Sequence, residues 1–168
     1  PLLNRRQWRL YTKFPETDEI HLLTPKKWPT AFEADYPTSS EPVTLHRHRS
    51  VYNGEMGRYL MPGLVSTIRD LNPDIVLTHS EPWHLNTLYI EIICEVVGVP
   101  HAIFSWENLL RMPQIRFQRV LERRLLPRID GIIAGSEAAA DRIESMGYSG
   151  PLEIAPESGV NIETFTPN

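Results

Sequence analysis

The stretch NPDIVLTHSEPWHLNTLYIEIICEVVGVPHAIFSWEN, residues 72–108, decides the fold. Its apolar run at 74–78 is short, preceded by Pro73 and followed by the polar loop His79-Ser80-Glu81-Pro82-Trp83, which predicts a buried strand. From about residue 83 to 97 apolar residues recur at helical spacing, and Gly98 stands where a helix C-terminus favours glycine. Residues 101–105 form a second strand-like run that ends in Ser105-Trp106-Glu107-Asn108. Strand, helix and strand in this order make a βαβ unit with its two strands parallel. Ligands of such sheets sit outside the carboxyl ends of the strands, where loops are free of packing and helix N-termini point. Function is therefore expected in the loops that carry Glu81 and Glu107.

The same alternation continues on both sides. Toward the C-terminus, a helical pattern follows Pro113, with Ile115, Val120, Leu121, Leu125 and Leu126 apolar. Arg116, Arg119, Arg123, Arg124 and Arg128 lie between them, and only Glu122 offsets these arginines locally. Residues 130–134 predict a buried strand. Ser136 then caps a helix at 137–146, and Glu137 in its first turn complements the helix dipole. Residues 152–155 predict a last strand and 157–160 a loop at its carboxyl end, and the tail 161–168 has no core periodicity. Toward the N-terminus, residues 59–71 carry a helical pattern weakened by Pro62 and Gly63. Residues 43–47 suit an edge strand, and Pro29, Pro37 and Pro42 mark a long loop at 29–42. Residues 19–24 predict a buried strand stopped by Pro25, which leaves Lys26, Lys27 and Trp28 just past its end. A first helix opens with Asn4 as N-cap, Trp8, Tyr11 and Phe14 on one face, and Arg5, Arg6, Arg9 and Lys13 on the other.

The totals narrow the classes. At 168 residues the chain is the size of one domain and can bury roughly 70% of its unfolded surface. A net charge of −4 gives no reason to expect nucleic acid as a partner. The single cysteine, Cys94, lies in an apolar helical run and reads as a packed thiol. His46 and His48 share a strand face, but no third ligand is near in sequence, so a polar strand face is expected and no metal. No apolar run approaches the roughly 18 residues of a membrane span, and no signal-peptide pattern precedes the first element. No G-x-G-x-x-G fingerprint supports a nicotinamide or flavin cofactor. The fold class expected is α/β, a Rossmann-like, doubly wound, mainly parallel sheet with helices on both faces.

Several motifs, in their order and spacing, resemble the N-terminal half of family-4 glycosyltransferases. They are Asn72-Pro73-Asp74-Ile75-Val76, Glu81-Pro82-Trp83, Trp106-Glu107-Asn108, Ile132-Ile133-Ala134-Gly135-Ser136, and Gly159-Val160-Asn161 ahead of Phe165-Thr166-Pro167. The likeness covers nearly the whole chain, most clearly from residue 60 onward, and no single motif is specific. Such enzymes place two Rossmann-like lobes across a cleft, the GT-B arrangement. The C-terminal lobe grips a nucleotide-sugar and the N-terminal lobe holds the acceptor. The resemblance thus implies an acceptor-binding lobe at 1–160, the start of an interdomain linker at 161–168, and a hexosyltransferase activity in the full-length protein. It implies a nucleotide-sugar donor for that protein, no cofactor or metal on this lobe, and a fragment that alone transfers nothing. Pro1 to Arg6 matches the loop and helix after the family's first strand. That strand is central, so its apparent absence predicts unpaired backbone groups, met by strand pairing with another chain or by a rearranged sheet.

The site implied comprises Glu107 as catalytic residue and His79, Glu81, Trp83, Trp106, Asn108 and Lys27 around the acceptor. Many relatives carry a histidine in the loop that here reads Ser105-Trp106-Glu107-Asn108, so its tip offers an indole and a carboxylate instead. A tryptophan can stack on a sugar or cover an acyl chain, and a carboxylate can orient a hydroxyl or take its proton. Glu107 capping the next helix or pairing with an arginine, and Glu81 capping the helix near Trp83, remain alternatives. His79 could serve as a pH-sensitive polar partner. The expected partners are a sugar or lipid-linked acceptor and the donor lobe. The expected compartment is the cytoplasm, and the basic first helix and the arginines of 111–128 add a hypothesis, an anionic surface at the inner face of the membrane, with solvated arginines as its rival. A free-standing flavodoxin-like binding module is the alternative function, separated by whether the reading frame continues into a second βα series with paired glutamates. A sugar-nucleotide epimerase on the same two-lobe plan is a third.

Overall fold

A computed structural model describes residues 15, 18–29, 43–55, 57–108 and 116–156. The first helix, residues 30–42 of the proline-rich loop, the loop at 109–113 and the stretch from 157 onward lie outside the described residues. The elements in order are β1 (Ile20–Pro25), β2 (Val43–His48), α1 (Leu64–Leu71), β3 (Val76–His79), α2 (Leu85–Val97), β4 (His101–Ser105), α3 (Arg116–Leu125), β5 (Gly131–Ala134), α4 (Glu137–Ser145) and β6 (Leu152–Ile154), with a 3₁₀ turn at Leu126–Arg128 after α3. β3, β4, β5 and β6 are hydrogen-bonded side by side in that order, every pair parallel. The fold is a Rossmann-like α/β arrangement of parallel strands and helices.

β1 and β2 pair in parallel as a second sheet, with Ile20 opposite Val43 and Pro25 opposite His48. Among the described residues β1 pairs only with β2, and β3 only with β4. Leu23 of β1 and Val76 of β3 nonetheless pack on one apolar cluster, built on Met61, Leu64, Ile68, Ile90, Ile93 and Cys94. Among the described residues the two parallel sheets are thus separate in their hydrogen bonding and share a helical layer.

Element ends depart from the sequence pattern where a partner or a turn decides them. β3 begins at Val76 and not at residue 74, because its pairing starts where β4 starts: the Val76 N–H donates to Pro100 O at 2.9 Å. The helix expected over 59–71 starts only at Leu64, since Gly63 at φ 91° ends the preceding turn in the left-handed region. Leu60 bridges antiparallel to Val51 instead. Pro25, expected to stop β1, is its last paired residue. Gly98 closes α2 as expected, at φ 81° with its N–H on Cys94 O.

A second cluster lies under α3 and α4, where Ile103, Leu125, Leu126 and Ile143 have no exposed surface. Burying each such side chain is worth about 1.5–3 kcal/mol. Near the amino end of β4 a polar chain crosses the layers. Buried His101 lies 2.9 Å from Thr78 Oγ1 and 2.8 Å from Glu91 Oε2, and Arg128 reaches Glu91 and Glu95. Hydroxyl, imidazole and carboxylate are all buried, so this chain ties α2 to β3 and β4 and meets no substrate. Cys94 is buried, its thiol pushed up to about 12 chiefly by loss of water, which makes it a packed group and not a nucleophile.

Candidate functional site

Parallel pairing brings the carboxyl ends of β3, β4 and β5 to one edge, and backbone bonds carry the ladder into the loops. The Ser80 N–H donates to Phe104 O at 3.2 Å and the Gly135 N–H to Ser105 O at 2.9 Å. At this edge Glu81, from the β3 loop, turns its carboxylate onto the β4 loop. Ser105 Oγ donates to Oε2 at 2.6 Å, while the N–H groups of Trp106 and Glu107 donate to Oε1 at 2.8 and 3.2 Å. Glu81 thus caps neither the helix that follows it nor its own loop; it clamps the neighbouring one. Burial pushes its carboxyl above the ordinary range, opposed by the bonds from Ser105 and Trp106; Glu107 adds to the rise and Arg142 opposes it.

The clamp positions Trp106. Its indole lies against Gly135, where an added Cβ would fall 2.5 Å from Cε3, so the strand-to-helix step must be glycine for the ring to settle there. Trp106 also meets Phe104, ring centres 5.5 Å apart, and Phe104 in turn stacks on His79 at 5.2 Å with planes 9° apart. The indole stays 43% exposed, an apolar plate at the rim. Ser136, beside Gly135, caps α4 as expected, its Oγ accepting from the Ala139 N–H at 3.2 Å.

Beneath the rim lies an ion pair. Arg142 of α4 and Glu122 of α3, 3% and 0% exposed, meet at 2.6 Å from Nη2 to Oε1. Burial raises the Glu122 carboxyl and Arg142 opposes the rise, with Glu107 repelling Glu122 from the rim. Glu122 does interact favourably with Arg119 of its own helix, as expected, but more weakly than with Arg142. Its side chain faces inward, because its position on α3 shares the buried side with Leu121 and Leu125, and its main partner is on α4.

On the β3 side, Ser80 Oγ lies 2.8 Å from His84 Nδ1, and the Glu81 N–H approaches the same nitrogen at 3.3 Å. Nδ1 therefore accepts, and burial pushes the imidazole down to about 4. Gly57 supports this ring, an added Cβ there falling 2.7 Å from His84 Cδ2. Trp83 packs edge-on to His84 at 4.2 Å, and among the described residues its buried Nε1 has no hydrogen-bond partner.

Of the residues expected at the site, contacts bring together His79, Glu81, Trp106 and Glu107. Trp83 adjoins them through His84, and Asn108 is exposed next to Glu107. Lys27 is exposed beyond β1, and no contact among the described residues ties it to this rim. His46 meets His21 across β1 and β2, Nε2 to Nδ1 at 3.0 Å, and no group of three or more metal-ligating side chains occurs among the described residues.

The sequence pattern described as Glycosyltransferase Family 4 matches residues 7–163. The chain belongs to glycosyltransferase family 4. Among curated proteins none matches it. In this family-4 domain the supports of the rim were the residues that sequence reasoning missed. Ser105, Arg142, Gly57 and His84 act through contacts between distant elements and carry no local signal. Gly135 was read only as part of the strand-to-helix motif Ile132-Ile133-Ala134-Gly135-Ser136, and the tryptophan at the neighbouring strand tip was the one hint that a ring must lie somewhere close.

Proposed function

We propose that this domain is the acceptor-binding lobe of a GT-B glycosyltransferase, in which a C-terminal lobe holds a nucleotide-sugar and the sugar passes to an acceptor hydroxyl. The clamp of Glu81 on the β4 loop carries this reading, because it joins the tips of two parallel strands into one fixed rim. Trp106, held on Gly135, is the plate on which a sugar or an acyl chain of the acceptor stacks. Glu107 orients the acceptor hydroxyl and takes its proton as the new glycosidic bond forms and the nucleotide leaves. Asn108, His79 and Trp83 line the same end, and Lys27 approaches a bound acceptor from the β1 side. Glu81 contributes by fixing the loop. The reaction is placed in the cytoplasm, with no metal or cofactor on this lobe, and the lobe alone transfers nothing.

The test is steady-state kinetics of full-length enzyme carrying Trp106→Ala or Glu107→Gln. Trp106→Ala should raise the acceptor KM about tenfold and leave the donor KM unchanged. Glu107→Gln should lower kcat about 100-fold. A Trp106→Ala enzyme with altered donor KM and unaltered acceptor KM would place the acceptor elsewhere and overturn the reading.

A further inference from the structure

Two neighbouring helices turn apolar side chains to solvent. On α3, Phe117 and Val120 are 66% and 51% exposed, and on the adjacent α2, Ile92 and Val96 are 46% and 67% exposed. Core helices of a soluble layer bury such positions and place charges outside. At 100° per residue the outer side of α3 is an arc of about 160° that runs Arg119, Arg123, Val120, Arg124, Phe117. The only acid of the helix, Glu122, lies outside this arc and is paired with Arg142. Arg123 and Arg124 are exposed and make no ion pair among the described residues. On α2, the exposed acid Glu95 is taken up by Arg128. The outer surface of the pair is thus apolar and positive, with Arg119 facing Glu122 electrostatically while Arg123 and Arg124 have no such partner among the described residues.

We propose that the outer face of α2 and α3 docks on an anionic lipid bilayer, with Phe117 and Val120 inserted at the headgroup boundary and Arg119, Arg123 and Arg124 on lipid phosphates. Charge alone would fit any polyanion. The exposed Phe, Val and Ile side chains among the arginines select a surface with an apolar interior, and the chain's net charge of −4 opposes a general affinity for polyanions. Docking itself does not rest on the function proposed above.

The experiment is flotation of the purified protein with vesicles of phosphatidylcholine alone and with 30% phosphatidylglycerol (on the order of a natural anionic fraction), without donor or acceptor. Wild type should bind the anionic vesicles only, and salt should weaken binding. Arg123→Gln with Arg124→Gln should weaken it roughly 20-fold, and Phe117→Ser about tenfold. All three side chains are exposed, so thermal melting of the variants should match wild type. Absence of binding to anionic vesicles overturns the proposal. So does binding that both variants retain, which would assign it to another surface, or binding that Phe117→Ser leaves intact, which would mean a charge contact with no insertion. Failure of the acceptor kinetics with vesicle binding intact would sink the proposed function and leave the docking surface standing.

Discussion

Glu81 shows what a single side chain can decide here. Its carboxylate is the acceptor for one hydroxyl and two backbone N–H groups of the next strand's loop, and Ser105 is fully buried. Removing an acceptor from buried donors costs about 1–3 kcal/mol, more when several lose it together. Glu81→Ala should therefore lower the melting temperature and release Trp106, read as a change in tryptophan emission, while Glu81→Gln keeps one oxygen and loses less. An Ala variant that melts and emits like wild type would show that the loop holds itself. His84 gives a residue-scale dependence on pH. Its folded pKa, about 4, lies below the ordinary 6.5, so the unfolded chain takes up the proton first as pH falls. The contribution of neutral His84 is fully present above pH 6.5, shrinks as pH falls, and is lost below about 4, with an upper bound of about 3 kcal/mol. His84→Asn, which keeps an acceptor near the Nδ1 position, should flatten stability against pH across that window in thermal melts. An unchanged slope would mean that His84 is protonated alike in both states. That two carboxylates would stand at one edge was legible from the βαβ pattern. That one of them would clamp the other's loop was not, because the choice between cap, ligand and clamp depends on side-chain reach that spacing does not encode.

At the scale of elements, the apolar runs and their Pro and Gly boundaries were enough to locate the six strands among the described residues and the helices between them. They failed at α1, where a periodic run from Tyr59 outlasted the helix because Gly63 adopts a left-handed backbone. They failed again at α3, whose arginines drew attention to its exposed side and hid what Glu122 does inside. Glu122 and Arg142 join α3 to α4 through a buried pair, which offers a sharp test. Taking away one partner leaves a buried charge without its counterion and costs about 3–5 kcal/mol, whereas replacing both by apolar groups of similar volume is often neutral. Arg142→Met should destabilise strongly in urea denaturation, and Glu122→Leu with Arg142→Met should recover most of the loss. A double variant as unstable as the single one would mean that packing, and not charge, makes this joint.

For the whole molecule, alternation of strand and helix over most of the length predicted a mainly parallel sheet, and the register of β3 to β6 is parallel throughout. Alternation cannot say where a sheet breaks, since that depends on which strands come within hydrogen-bonding distance. The break between β1 and β3 has a consequence for local stability. β4 has a hydrogen-bonded neighbour on each side and all five residues buried, while among the described residues β1 and β2 pair only with each other and β2 exposes Thr44 and Arg47. Opening free energies follow burial and shared hydrogen bonds, so the two sheets should open separately. In native-state hydrogen exchange the amides of β4 should be the slowest and approach the global unfolding limit. Those of β1 and β2 should exchange at least about tenfold faster, with a weaker dependence on denaturant. Leu23 and Val76, on one cluster, are the opposing consideration, because packing on a common helical layer can couple the sheets without a strand between them. If β2 amides match β4 in rate and in denaturant dependence, that coupling wins and the two sheets unfold as a single cooperative body.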